Sequence, residues 1–319
     1  MATGTGLDAQ VGYVAESAWG TSAVVTRFLP LISETMKKEI ERVESPSIYV
    51  GRQTWNTDQW APGMAMIGGD IQHELYDSSI GLLLRAAFGT VNTANASGTY
   101  THTFWPAAPG VSLTVQIGRP TIYGTVVPFT YEGCKVQSWE IAAAAGENLT
   151  YGHTLVGEEE TMGTALASAS YTASIKPWRF QNATFSLAGS TTPISAFRIG
   201  GANNLVERRF VGATVTSEPL RENLAEYTGE LTLEWGNPSA GGTLNYHRFF
   251  GGTEAALVMT AVAGGTASAT ITANIRYDGT TPNVAGRGII EHSIPFKCIA
   301  GTLDSQAIQV QLVNGDSTA

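Results

Sequence analysis

Positive charge is scarce in this chain. Of 319 residues only 18 are lysine or arginine, against 27 aspartate or glutamate, which leaves a formal charge of −9. Lysine is confined to positions 37, 38, 135, 176 and 297. Affinity for phosphates comes chiefly from cations that displace counterions, so the balance excludes a basic nucleic-acid binder. Charged residues of both signs make up 14%, whereas 43% are hydrophobic, enough to bury a core and to exclude disorder by composition. Cysteine occurs twice, at Cys134 and Cys298, in segments that both read as strands. Two isolated thiols make no metal site by themselves and are expected to be free and buried. No stretch approaches the roughly 18 apolar residues needed to cross a bilayer. The opening MATGTGLDAQ lacks the basic and apolar parts of a signal peptide, so the chain is expected to be cytosolic when made, with no membrane partner.

Chemical motifs are equally sparse. Histidines 73, 102, 153, 247 and 292 are scattered, with no His-x-x-x-His pair to set two imidazoles on one helix face. His102, His153 and His292 fall inside alternating runs and read as packed strand residues. Phosphate-cradling, nucleophile-elbow and EF-hand patterns are missing. The single acidic run, Glu158-Glu159-Glu160, reads as a solvated loop, because adjacent strand side chains point to opposite faces. Asn95, Asn148 and Asn182 match the glycan acceptor pattern, which carries no weight without a secretion signal. Glu140 with Glu147, and Glu230 with Glu234, have the chemistry of paired acids but read as polar faces of amphipathic strands. No catalytic, cofactor-binding or metal-binding residue is assigned, and an enzyme is not expected.

What is present is alternation. Val111–Ile117, Thr228–Trp235, Thr270–Tyr277 and Ala307–Val313 switch between apolar and polar at every residue, as do Leu149–Leu155 and Ile290–Phe296. These are half-buried antiparallel strands, separated by clusters drawn from 36 glycines and 13 prolines. Ile80, Leu83, Leu84, Ala87 and Phe88 instead follow helical spacing, which predicts one helix over about 77–88. Asp77 or Ser78 is its expected cap and Gly89 its closing residue. Leu29, Ile32, Met36, Ile40 and Val43 also recur at helical spacing, yet the same residues could form an extended edge. Ser45 to Gly69, with Trp55, Trp60 and Arg52, has no clean period and reads as a long loop. A faint likeness between 136–157 and 194–212 points to two related parts, 1–165 and 166–319, within one unit spanning 1–319, with a junction in the Thr/Ala/Ser-rich segment 161–174. Asn314 to Ala319 are small and polar and are expected to be mobile unless a neighbour pins them.

Taken in order, Gly12-Tyr-Val-Ala-Glu16, Trp19-Gly-Thr21, Phe28-Leu-Pro30 and Ser33-Glu-Thr35 lead to Gly51-Arg52, the helix with Ala86-Ala-Phe-Gly89, and Tyr100-Thr-His-Thr-Phe104. Gly133-Cys-Lys-Val136, Val156-Gly157, Asn204-Leu205, Arg208-Arg209, Gly229-Glu-Leu-Thr232 and Val310-Gln-Leu-Val-Asn314 continue the series. In this order and spacing the sequence resembles the tail tube proteins of long-tailed bacteriophages, in their longer two-part version, over nearly its whole length. The resemblance implies a mainly β, tail-tube type sandwich or barrel of antiparallel strands with one short helix packed on a sheet. It implies hexameric rings that stack into a hollow tube, with double-stranded DNA passing through unbound. It also implies tape measure, tail terminator and distal tail or baseplate proteins as partners, a place in the virion tail after assembly in the host cytoplasm, and no cofactor. In relatives the segment after Pro30 is extended, so 36–43 is expected as strand and the excursion after it as a contact between subunits.

Two sets of site residues follow. In Thr228–Trp235, Leu231, Leu233 and Trp235 share one face while Glu230, Thr232 and Glu234 share the other, and the latter, with Glu140, are the candidates to line the channel. Arg52, Trp55 and Trp60 are the candidates for contact between subunits, being residue types enriched at interface centres. Gly-Gly pairs at 68–69, 200–201, 241–242, 251–252 and 264–265 are expected to form tight turns. The competing class is a carbohydrate-binding or decoration β-sandwich of a virion, which would need aromatic residues exposed on one face.

Overall fold

One strand organises the fold. In the computed structural model, which describes residues 4–235, 242–263, 267–279, 284 and 286–319, Val126–Ala144 runs for 19 residues and changes partners along its length. Its first part pairs with Leu113–Pro120, which in turn pairs with Gln10–Ala15; its second part lies between Thr150–Gly157 and Ala196–Ala202. On one side the ladder continues to Trp60–Glu74 and Lys37–Glu44. On the other it runs through Glu226–Glu234, Glu291–Cys298, Ser268–Tyr277, Ile308–Asn314 and Thr99–Pro106 to Gly89–Ala96. Ala255–Val262 and Ala183–Leu187 branch from Ser268–Tyr277. Every pairing is antiparallel, and the ladders among the described residues close no barrel, so the expected mainly β sandwich is what forms.

The expected helix is α1, Gly81–Phe88, closed by Gly89 at φ 89°. Its start differs from expectation. Ile80 occupies the cap position without a side-chain bond, and the carboxylate that approaches is Asp316, whose Oδ2 accepts from Ser79 N at 2.7 Å. Asp77 is turned away and accepts from Lys176 N at 3.0 Å. Rather than one apolar stripe, every α1 residue except Arg85 is buried, because the helix lies between Val126–Ala144 on one side and the hairpin 89–106 on the other. Phe88 stands 4.8 Å from the Trp139 ring and 6.0 Å from that of Tyr227, tying the layers together. A second helix, α2 at Gly242–Gly251, has no counterpart among the expected elements.

Of residues 36–43, 37–43 lie in the strand Lys37–Glu44 and Met36 just precedes it. The helical spacing is not used by a helix: Leu29 and Met36 are buried, whereas Ile40 and Val43 are exposed. The expected loop 45–69 is corrected in its second part: Trp60 begins a strand that pairs back on Lys37–Glu44, leaving only 45–59 as the loop of a long hairpin. Both strands are solvated on two sides there, which removes the alternation that would have marked them. Glu159–Thr161 is likewise a short strand, paired with 130–132, and not a solvated loop. The residues after Asn314 are held by their own chain: Asp316 by Ser79 N, and Thr318 by Arg27 at 2.6 Å. Of the glycine pairs, 68–69 and 200–201 lie inside strands instead of turns; a Cβ on Gly201 would stand 2.7 Å from both Trp139 and Tyr227. Gly241, Gly264, Gly265 and Met1 to Thr3 lie outside the described residues. Cys134 and Cys298 are free and buried, as expected.

Candidate functional site

Register decides which side chains share the outward face. Glu140 is paired on one side with Gly152 and on the other with Gly200, and Gly200 with Thr228. One rung along, Arg198 lies between Ala142 and Glu230; next come Ala196 with Thr232, and then Glu234 with Glu291. Glu140, Glu230, Thr232 and Glu234 therefore stand on one solvent face, while Trp139, Ile141, Leu231 and Leu233 fill the core behind them. Trp235 is only half-buried, against the His292 ring at 5.4 Å.

The same registers add residues that the sequence did not single out. Asp70, Glu74, Glu226 and Glu291 share the face, giving seven carboxylates with Glu140, Glu230 and Glu234, against the two cations Arg198 and Lys297. Arg198 reaches Glu230 at 2.8 Å and Glu140 at 4.0 Å, and Lys297 reaches Glu226 at 2.8 Å. Arg276, beside Lys297, is matched by Asp278 at 2.8 Å. Hydrogen bonds from Ser293 and then Arg198 hold the Glu230 carboxyl below its ordinary range, against the opposing effect of desolvation. Glycine and alanine at 142, 144, 152, 196, 200 and 202 keep the surface low, leaving a shallow trough of about 470 Å³ over Asp70, Ser138, Glu140 and Glu226. No aromatic side chain belongs to this face among the described residues; the exposed Tyr49, Trp55 and Trp60 lie on the first hairpin.

Beneath the acidic face lies a buried aromatic cluster. His73 Nδ1–H donates to the Pro30 carbonyl at 2.7 Å, which leaves Nε2 to accept from the Tyr13 hydroxyl at 2.7 Å. His153 stacks on His73 with ring centroids 5.8 Å apart and on Tyr151 at 5.3 Å, and neither of its ring nitrogens has a hydrogen-bond partner in the protein. Burial pushes His73 down to about 4, and burial followed by the neighbouring His73 pushes His153 down further, so both rings are neutral. Arg119 fixes the chain beside them: its guanidinium donates twice to Glu34, at 2.9 and 2.8 Å, and to Tyr131 at 3.0 Å, and lies over Phe129 at 4.4 Å. Glu34 stands at the root of the first hairpin.

On that hairpin Arg52 and Trp55 lie in the loop and Trp60 on the returning strand, so the structure does not draw the three into one cluster. Arg52 packs over Tyr49 at 5.3 Å and Arg42 over Trp60 at 5.5 Å, while Trp55 remains 65% exposed. Ile48 and Val50 are fully exposed beside them; Ile48-Tyr49-Val50 is too short a run to give a periodic signal. A second hairpin, Leu205–Arg208 with Ser217–Arg221, was not anticipated, and the only sequence cue was Phe210-Val211 set between Arg209 and Gly212. No group of three or more His, Cys, Asp or Glu among the described residues could hold a metal ion.

An antiparallel sheet with an acidic outer face and two hairpins whose apolar residues are exposed in the single chain places the protein in the class of antiparallel β proteins. Within that class the chain belongs to the phage tail tube protein family, whose model matches residues 6–298. It is a structural component of a virion tail, as the order of its motifs had indicated. No curated protein matches the sequence.

Proposed function

We propose that this chain, as one assembly unit over 1–319, closes into hexameric rings that stack into a hollow tube, with its acidic sheet face turned to the lumen. The observation that carries this reading is the concentration of seven carboxylates against two cations on one outward face of the sheet. Duplex DNA is held by cations that displace its counterions, and a wall of fixed carboxylates offers none, so DNA slides along it without binding. Glu140, Glu230, Thr232 and Glu234 line the channel in this arrangement. The first hairpin, with Arg52, Trp55 and Trp60, reaches the neighbouring subunit, where its apolar side chains lose their water. The tape measure protein fills the lumen before the genome does, and the terminator and distal tail proteins close the ends.

Negative-stain images of purified protein at high concentration test the assembly: rings and tubes are expected, and a dispersed monomer that also fails to complement a tail-tube deletion would defeat the proposal. Reversal of Glu230 and Glu234 to lysine tests the lining. Tails should form and eject their genome more slowly; unchanged ejection removes both residues from the channel wall.

A further inference from the structure

The second hairpin is built with more care than a surface turn requires. Its two strands form a separate sheet outside the main ladder. Lys135, a buried lysine on the central strand, donates to Glu218 Oε1 at 2.6 Å and to the Pro109 carbonyl at 3.2 Å. Thr216 Oγ1 donates to the Gly157 carbonyl at 3.2 Å, and Arg221 donates to Asn203 Oδ1 at 2.7 Å. Burying an ammonium group costs desolvation, and here that cost goes into fixing the root of an exposed element. The flank of the hairpin is joined to the first one: Ala65 N donates to the Thr214 carbonyl at 3.0 Å, and Arg209 stands 3.7 Å from Glu41.

What this root presents is apolar. Phe210 is 57% exposed and Val211 completely so, with Val206 and Leu220 exposed on the strands behind them. Exposed apolar groups on a pre-positioned support are the makings of a contact that loses little conformational entropy on binding. We propose that the second hairpin is half of a composite contact surface, on which Phe210 and Val211 engage a second copy of this chain alongside the first hairpin. The proposal rests on the tube reading above. Its occupant follows from the tube reading and one observation: in a tube built of this chain the neighbours are its own copies, and the two hairpins are hydrogen-bonded flank to flank, so a copy covering one meets the other.

Both native thiols are free and buried, so a cysteine placed on the hairpin can be read alone. Tubes polymerised from purified Val211→Cys protein should react with a maleimide at least about tenfold more slowly than dispersed subunits, as expected for a residue buried at an interface. Equal rates would overturn the proposal, and so would protection found only in tails from infected cells, which assigns the surface to a different tail protein. Phe210→Asp with Val211→Asp should leave circular dichroism and melting temperature at wild-type values and abolish polymerisation; normal polymerisation is again contrary to the proposal. Trp55→Asp, run in parallel, separates the two readings. If wild-type protein never polymerises, the tube reading falls and this inference with it; if Trp55→Asp blocks assembly and the hairpin pair does not, this inference alone falls. Should the aspartate pair fail to fold, the labelling rates decide.

Discussion

The outer face of the sheet is two surfaces, not one. Over Trp60–Glu74, Thr150–Gly157, Val126–Ala144, Ala196–Ala202, Glu226–Glu234 and Glu291–Cys298 it is acidic. Over Ala255–Val262, Ser268–Tyr277, Ile308–Asn314 and Thr99–Pro106 the outward positions include Thr260, Thr270, Thr272, Gln309, Gln311 and Thr103, with Arg276 the one charge and no carboxylate among them. The inward positions do not differ in kind: Ile141, Ile199 and Leu231 behind the first surface, Ile271, Val310 and Phe104 behind the second, all buried. Alternation and a filled core are all that folding asks of a half-buried strand. The charge on the first surface is therefore more than alternation and a filled core require.

That comparison can be broken most severely through the shared core. Phe88→Ala removes the ring that touches Trp139 and Tyr227, and should cost about 3–5 kcal/mol by chemical denaturation, unfolding both surfaces in one transition. Two separate transitions would show that the surfaces belong to independent units. Acid comes next and should act on the first surface. His73 and His153 are held neutral in the folded state, whereas the unfolded chain takes up protons below about pH 6.5. Stability contributed by their neutral forms is thus intact above that pH and falls as pH drops from 6.5 toward 4, by about 1.4 kcal/mol per unit for His73, with His153 acting in the same direction. The rings face Tyr13, Tyr151 and each other, so amide exchange in Trp60–Glu74 should rise before that in Ser268–Tyr277; simultaneous loss would count against this origin.

Smaller effects sharpen the contrast. Lysine at Glu140, Glu230 and Glu234 together should slow genome ejection on the order of tenfold, whereas lysine at Thr270, Thr272 and Gln311 should leave it near wild type; equal slowing by both sets would erase the distinction between the surfaces. Glutamine at the same three acids should shift stability by no more than about 0.5 kcal/mol each, as expected for surface groups. Finally Arg119→Lys, which keeps the charge but loses the paired bonds to Glu34, should cost about 1 kcal/mol in urea and loosen the root of the first hairpin to proteolysis.

Much of this was legible in the sequence. Glu230 and Glu234 could be assigned to solvent, and Leu231 and Leu233 to the core, because a strand's period of two is a local property. The helix at Phe88 was equally plain. That Glu140 lies two strands from Glu230, with Gly200 and Arg198 between them, was not, since register between distant segments has no local signature. The Trp60 strand escaped notice because its first residues are wet on both faces, and the second hairpin because its strands, of 4 and 5 residues, are too short to show a period. The cap of α1 failed for a related reason: the rule searches the residues just before a helix, and here the carboxylate comes from elsewhere.

That cap has a consequence in time. Asp316 lies 237 positions downstream of Ser79, so while the ribosome is still making the intervening chain, the residue that leads into the helix at the middle of the core lacks its carboxylate partner and the neighbouring histidine at 102 lacks the Asp316 carbonyl. The earlier part of the polypeptide therefore gains these two fastenings only when translation has reached Asp316.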